Sequence, residues 1–95
     1  MQKTLLDYEL IDGRAGTVRV LACDKVGMEK TVRINDWPLE DGPRTATLLL
    51  FYALRRNGLI ESDNYDSFIS EELADYALAT PPEDEDEDEE DPKVP

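Results

Sequence analysis

The chain has no histidine and a single cysteine among its 95 residues. Histidine is the commonest general base and metal ligand, so its absence removes the most frequent centre of acid–base catalysis and metal binding. Cys23 has no histidine to deprotonate it and no second cysteine with which to share a metal or form a disulfide. We therefore expect Cys23 to be a buried structural thiol, and we expect no catalytic residue, no metal site and no cofactor.

Long apolar runs and clustered basic residues are also missing. The longest apolar run, residues 48–54, has seven residues, far fewer than the roughly 18 that a membrane-spanning helix needs. Arg55 and Arg56 are the only adjacent cations, whereas binding to nucleic acid requires clustered cations that neutralise phosphates. We therefore expect neither a membrane nor a nucleic acid as a partner, and the lone cysteine favours a reducing cytoplasm.

Acidic residues, in contrast, are abundant, with 23 acids against 10 bases and a net charge of −13. Residues 81–95 alone hold nine acids and one lysine, a net charge of −8, and they begin with two prolines. A segment with so much like charge and so few apolar residues does not compact. The sequence therefore predicts one small α+β domain over residues 1–79 and a disordered acidic tail over residues 80–95.

The strongest helix signal runs from Pro43 to Asn57 and Gly58. Proline suits a first helical turn, and an Asn-Gly pair suits the left-handed conformation that ends many helices. Between these ends the residues are apolar on nearly every side of the helix. Such a helix is central to its fold or shared with a partner, and we predict that Leu50 lies in the core.

Three other segments carry weaker signals. Alternating apolar and polar residues on either side of a turn at residues 12–16 predict an N-terminal β-hairpin. Residues 22–35 support a helix and a third strand about equally. Apolar residues at three- and four-residue steps from Tyr65 to Tyr76 predict an amphipathic helix. The expected fold is an N-terminal β-hairpin packed on about three helices.

Trp37, Phe51 and Tyr52 are the candidate contacts for a partner protein. Trp37 is the only tryptophan and precedes Pro38 at the entry to the central helix, while Phe51 and Tyr52 lie on the flanks of that helix. Aromatic side chains supply large contact areas at interfaces, although they serve more often as core or hinge anchors. If other elements cover only two sides of the central helix, one of these residues must face solvent or a bound chain.

The order of short motifs resembles that of a known family. The motifs are ACDKVGMEKTVR, then NDWP, then a helix ending in YALRRNG, and then NYDSFI. Together they are similar to the small tail assembly chaperones of long-tailed bacteriophages, over roughly residues 17–76. The matching positions are Asp24, Glu29, Trp37, residues 48–56, Gly58 and Phe68. Ala22 and Gly27 depart from the pattern, since relatives often have a hydroxyl cap at the first position and Gly27 falls inside a presumed helix.

This resemblance implies a fold and a function. It favours a helix over residues 22–35 and implies a protein without enzymatic activity. Such a protein binds the long, apolar, helical tape measure protein and keeps it soluble until tail tube subunits polymerise around it. The resemblance further implies that it acts in the host cytoplasm and is absent from the mature virion. We also expect it to associate with itself.

Two other functions fit the composition. An acidic DNA-mimic inhibitor, of the anti-restriction or anti-CRISPR type, would array its carboxylates on a rigid surface, whereas here nine of the 23 acids fall in residues 81–95. An interaction module of the host with an acidic tail for basic partners would bind in a salt-sensitive manner that depends on this tail. The chaperone function is the main expectation.

Overall fold

The structure is a computed structural model that describes residues 3–79, and the structural statements below concern these residues. Three strands form an antiparallel sheet in the order β2-β1-β3, accompanied by three helical segments. The elements are β1 (Thr4–Leu10), β2 (Ala15–Val20), α1 (Ala22–Ile34), α2 (Pro43–Arg56), the short α3 (Tyr65–Ser67) with a π-helical turn (Phe68–Glu72), and β3 (Leu73–Ala79). The α+β fold class is confirmed, whereas the tail predicted for residues 80–95 lies outside the described residues.

The N-terminal hairpin is present as predicted. Strands β1 and β2 pair in a regular antiparallel register from Thr4 opposite Val20 to Glu9 opposite Ala15. In the turn, the Asp12 carboxylate accepts the backbone N–H of Arg14 at 3.0 Å and its Nε at 2.9 Å. Local side-chain bonds of this kind favour a turn over continued strand, so the sequence of the loop itself ends β1.

Of residues 22–35, Ala22–Ile34 form helix α1, which was one of the two structures that the sequence supported. At its start the carboxylate of Asp24 reaches back and accepts the backbone N–H of Leu21 at 2.8 Å. Along its surface Arg33 and Glu29 form an ion pair one turn apart at 3.1 Å. Satisfying an unpaired N–H of the first turn stabilises the helix over the alternative strand.

Helix α2 begins and ends where the sequence predicts. Pro43 is its first residue, and Gly58 lies just beyond its end with φ +70°. The N–H of Gly58 donates to the carbonyl of Arg55, and the N–H of Leu59 donates to the carbonyl of Leu54, both at 3.0 Å. This pair of bonds is the Schellman motif, which satisfies the last carbonyls of a helix through a left-handed residue.

The hydrophobic core lies between α2 and the inner face of the sheet. Leu50 has no exposed surface, as predicted. The buried apolar residues of the main cluster are Leu6, Leu10, Val18, Val20, Leu50, Phe51, Ala53, Leu54, Ile60 and Phe68. Because α2 supplies four of these residues, it is the central element of the domain.

The helix predicted from Tyr65 to Tyr76 is wrong in its second half. The helical conformation stops at Glu72, and residues Leu73–Ala79 form β3, which pairs with β1. An irregularity in this pairing places Leu73 opposite Leu10 and Tyr76 opposite Tyr8. Because β3 has one extra residue at this point, Leu73 and Tyr76 lie on the same face of the strand although they are three residues apart. This spacing is the one expected of a helix.

Candidate protein-binding cleft

An open cleft of about 310 Å³ lies between the end of α1, α2 and the start of α3. It gathers three aromatic side chains, Trp37, Phe51 and Tyr52, that the sequence singled out, and adds Tyr65. The polar residues around it are Thr31, Asn35, Arg55, Asp63, Asn64 and Asp66. Aromatic walls with a polar rim are typical of sites where one protein holds apolar side chains of another.

Phe51 forms the floor of the cleft. Its ring centroid lies 5.2 Å from that of Tyr52, 6.3 Å from that of Tyr65 and 5.4 Å from that of Phe68. These separations are within the range in which aromatic pairs attract one another beyond simple burial. Phe51 is only 3% exposed, so it supports the neighbouring rings and offers little surface of its own to a partner.

Trp37 is positioned by the end of α1. Asp36 adopts a left-handed conformation with φ +58°, and the N–H of Trp37 then donates to the carbonyl of Val32 at 3.0 Å. The indole meets Tyr65 edge to face at 6.1 Å, and the guanidinium of Arg44 lies 4.5 Å from its ring centroid. Trp37 is half-buried. The side chain that covers it, Arg44, is exposed, so a bound chain could displace it.

Tyr52 forms the opposite wall and is fixed by α1. Its hydroxyl shares a hydrogen bond of 2.5 Å with Oγ1 of Thr31. A Cβ atom on Gly27 would lie 3.1 Å from a carbon of the Tyr52 ring, closer than an ordinary contact. A glycine inside this helix therefore has a physical reason, because it lets α1 approach the Tyr52 ring.

Two of the three candidate residues thus offer surface in one cleft, while the third lies beneath them. Tyr65 belongs with Trp37 and Tyr52, but it was assigned only to the apolar face of a helix. A sequence signal for its role does exist, since Asn64 caps the helix that starts at Tyr65 and accepts the N–H of Ser67 at 2.8 Å. Whether these residues bind a partner stays a prediction.

An ion pair between a buried carboxylate and an exposed arginine joins the two long helices and strand β2. The guanidinium of Arg56 donates to both carboxylate oxygens of Asp24, at 3.1 and 2.9 Å, and to the carbonyl of Arg19 at 2.9 Å. Asp24 is 2% exposed. The hydrogen bonds to Asp24 raise the pKa of Arg56 above its ordinary value. One bidentate pair therefore joins the start of α1, the end of α2 and strand β2.

The prediction of a buried thiol at Cys23 is wrong. Cys23 is exposed, with its sulfur 3.9 Å from the Asp24 carboxylate. Adjacent residues of a helix point in directions about 100° apart. Since Asp24 turns inward to meet Arg56, the preceding residue faces solvent.

The loop before α3 is anchored through a carboxylate. Glu72 accepts the backbone N–H groups of Glu61 and Ser62, both at 3.1 Å. Desolvation raises the pKa of Glu72, but the hydrogen bonds from Ser62 and Glu61 outweigh it and hold this pKa below its ordinary value. The chain that follows α2 is thereby tied to the π-helical turn and keeps Tyr65 in place.

Residues 3–79 contain neither a metal-binding cluster nor a membrane-spanning helix. No group of three or more histidine, cysteine, aspartate or glutamate residues in this part of the chain is placed to hold a metal ion. No helix there is both long and apolar enough to span a bilayer. Comparison with known protein families, curated proteins and solved structures gave no match.

Proposed function

We propose that this chain is a tail assembly chaperone of a long-tailed bacteriophage, and that its aromatic cleft binds apolar helical segments of the tape measure protein. The observation that carries the proposal is the open cleft that joins Trp37, Tyr52 and Tyr65 from three separate segments. An amphipathic helix placed in a groove is a common mode of peptide recognition. Rigid aromatic walls suit it because they supply contact area at a small entropic cost.

The charge of the chain supports the same proposal. A chaperone that covers apolar segments must keep the resulting complex from aggregating. The net charge of −13 gives each complex a strong repulsion from its neighbours. The aromatic side chains of the cleft and the acidic composition therefore supply the two properties that such a chaperone needs.

Several residues that carry the family resemblance lie in the elements around the cleft, and Trp37 lines it. Asp24 bonds to Arg56 between the two long helices, Gly58 ends α2, and Phe68 packs under Phe51. These residues hold the frame of the cleft, and Trp37 lies in the cleft itself. The motifs of the resemblance thus include both residues that hold the helices around the cleft and a residue that lines it.

Trp37 allows a direct test, because it is the only tryptophan of the chain. We expect its fluorescence to change saturably on titration with a synthetic apolar helical peptide from the tape measure protein of the same phage. Tyr52→Glu should weaken this binding at least about tenfold, since it places a charge where an apolar side chain docks. The expected loss corresponds to about 1.4 kcal/mol.

Ile11→Glu provides the matched control for this titration. Ile11 is 59% exposed in the hairpin turn, and the substitution introduces the same charge away from the cleft. Its affinity should equal that of the natural chain. Equal weakening by both variants would show that charge and not the cleft governs binding, and an unchanged affinity of Tyr52→Glu would remove the cleft from the proposal.

One observation favours the acidic DNA-mimic inhibitor as a second candidate. Residues 57–72 contain no basic residue and five acids, which are Glu61, Asp63, Asp66, Glu71 and Glu72. A DNA mimic would displace duplex DNA from a restriction or CRISPR nuclease, and Asp63→Asn with Asp66→Asn would weaken that displacement. If the chain is a chaperone, neither the natural chain nor the double variant should displace DNA. The assay therefore separates the two functions.

A further inference from the structure

The outer edge of β3 has no strand beside it within residues 3–79. Strand β1 lies in the middle of the sheet, and β3 forms one margin. Proteins commonly protect such margins with lysine, proline or a cover of helix or loop, because unpaired backbone groups attract another strand. The sequence of β3, LADYALA, contains neither lysine nor proline, and its only charge is Asp75.

The opposite margin of the sheet is protected. On β2 the carbonyl of Arg19 already accepts a hydrogen bond from Arg56. Helix α2 packs against β2, while Gly16 and the exposed Arg19 make that strand a poor template for pairing. The difference between the two margins marks β3 as the side open to association.

The exposed side chain of Leu78 also indicates that β3 is open to association. Its pairing partner on β1 is Leu6, so both residues lie on the inner face of the sheet. Leu6 is 3% exposed, whereas Leu78 is 75% exposed. A further strand beside β3 would cover this inward-facing leucine.

We propose that β3 pairs antiparallel with β3 of a second copy of this chain, about a two-fold axis at Ala77. In this register Tyr76 of each copy lies opposite Leu78 of the other, and Asp75 lies opposite Ala79. Cross-strand pairs of an aromatic and an aliphatic side chain stabilise a sheet, and the two inward leucines become covered. The interface forms a six-stranded sheet from two three-stranded ones.

The charges of the chain select this arrangement among the possible pairings. A parallel, in-register pairing would place the two Asp75 carboxylates side by side, which destabilises a sheet. It would also bring together the two 81–95 segments, each with a net charge of −8. The antiparallel register separates the aspartates and places the two Ala79 residues, the last of each β3, at opposite ends of the joined strands.

The length of the pairing is bounded on both sides. The irregularity opposite Glu9 and Leu10 disrupts the ladder at the start of β3. Pro81 and Pro82 lack the N–H group that a longer ladder would need. About five residues of each copy can pair, so the dimer is weak and grows stronger with salt, which screens the repulsion between two acidic chains.

This interface goes beyond the proposed function, since it involves no client and no residue of the cleft. Sedimentation equilibrium of the full chain should show a dimer whose dissociation constant falls at least about fivefold between 50 and 500 mM NaCl. Leu78→Lys should raise the dissociation constant at least about tenfold. Thr17→Lys adds the same charge to the protected margin and should leave it unchanged.

Disulfide trapping tests the register. In a Cys23→Ser background, Ala77→Cys should form a disulfide between copies, because residues opposite each other across the axis have Cβ atoms close enough to be bridged. Ala79→Cys faces Asp75 and should not. A chain that stays monomeric at every salt concentration, equal weakening by the two lysine variants, or equal trapping of the two cysteines would each overturn the proposal.

Discussion

Leu50→Asp is expected to remove a large share of the free energy of unfolding. Leu50 has no exposed surface and lies in the main cluster between α2 and the sheet. A carboxylate placed there has no cation to pair with, and the expected loss is at least about 3 kcal/mol. A domain of this size has roughly 4–12 kcal/mol in total. Urea unfolding followed by circular dichroism measures the change.

Leu39→Asp is the matched control for this substitution. Leu39 is 62% exposed in the connection between the two long helices. The same chemical change there should alter the free energy of unfolding by no more than about 0.5 kcal/mol. If Leu50→Asp unfolded at the same urea concentration as Leu39→Asp, Leu50 would lie at the surface and the description of the core would be incorrect.

Asp24→Ala is expected to produce the second large loss, of about 1–3 kcal/mol. The substitution leaves the guanidinium of Arg56 without its carboxylate and the backbone N–H of Leu21 without its acceptor. The loss is larger than for an exposed ion pair because Asp24 is 2% exposed. Thermal unfolding at neutral pH measures it.

A double-mutant cycle separates the pair from its surroundings. Arg56→Met keeps the aliphatic stem of the side chain and removes the charge. The double variant Asp24→Ala, Arg56→Met should lose less stability than the two single variants together, because no unpaired ion remains. Strict additivity of the two single losses would show that the two side chains do not act as a pair.

The elements that the sequence predicted well carry their signals locally. The turn at Asp12 and the helix between Pro43 and Gly58 are encoded by residues that act on their own backbone. Helix α1 was undecided because its stabilising bond depends on Asp24, whose inward orientation is set by Arg56, 32 residues away. The periodicity of a local segment gives no information about a partner so distant in the sequence.

Strand β3 shows how a distant partner can overrule a local pattern. Leu73 and Tyr76 are three residues apart, which favours a helix by spacing alone. The irregular pairing with β1 inserts one extra residue between them, so both still face the core from a strand. The helix propensity of a short segment decides little when the free edge of a neighbouring strand, here β1, can pair with it.

The cleft was predicted in its parts but not as a whole. Trp37 and Tyr52 were identified as large side chains on a helix and its entry, and both line the cleft. Phe51 could not be distinguished from Tyr52 because the direction of each side chain depends on where α1 and α3 pack. Tyr65 joined them only through the fold, since it is separated from Trp37 by the whole of α2.

The most direct test of the central claim is co-expression of this chain with the tape measure protein of the same phage. We predict that the tape measure protein stays in the supernatant with the natural chain and with Ile11→Glu. With Tyr52→Glu it should precipitate, although that variant itself folds and stays soluble. A tape measure protein that precipitates equally with and without the natural chain would contradict the account.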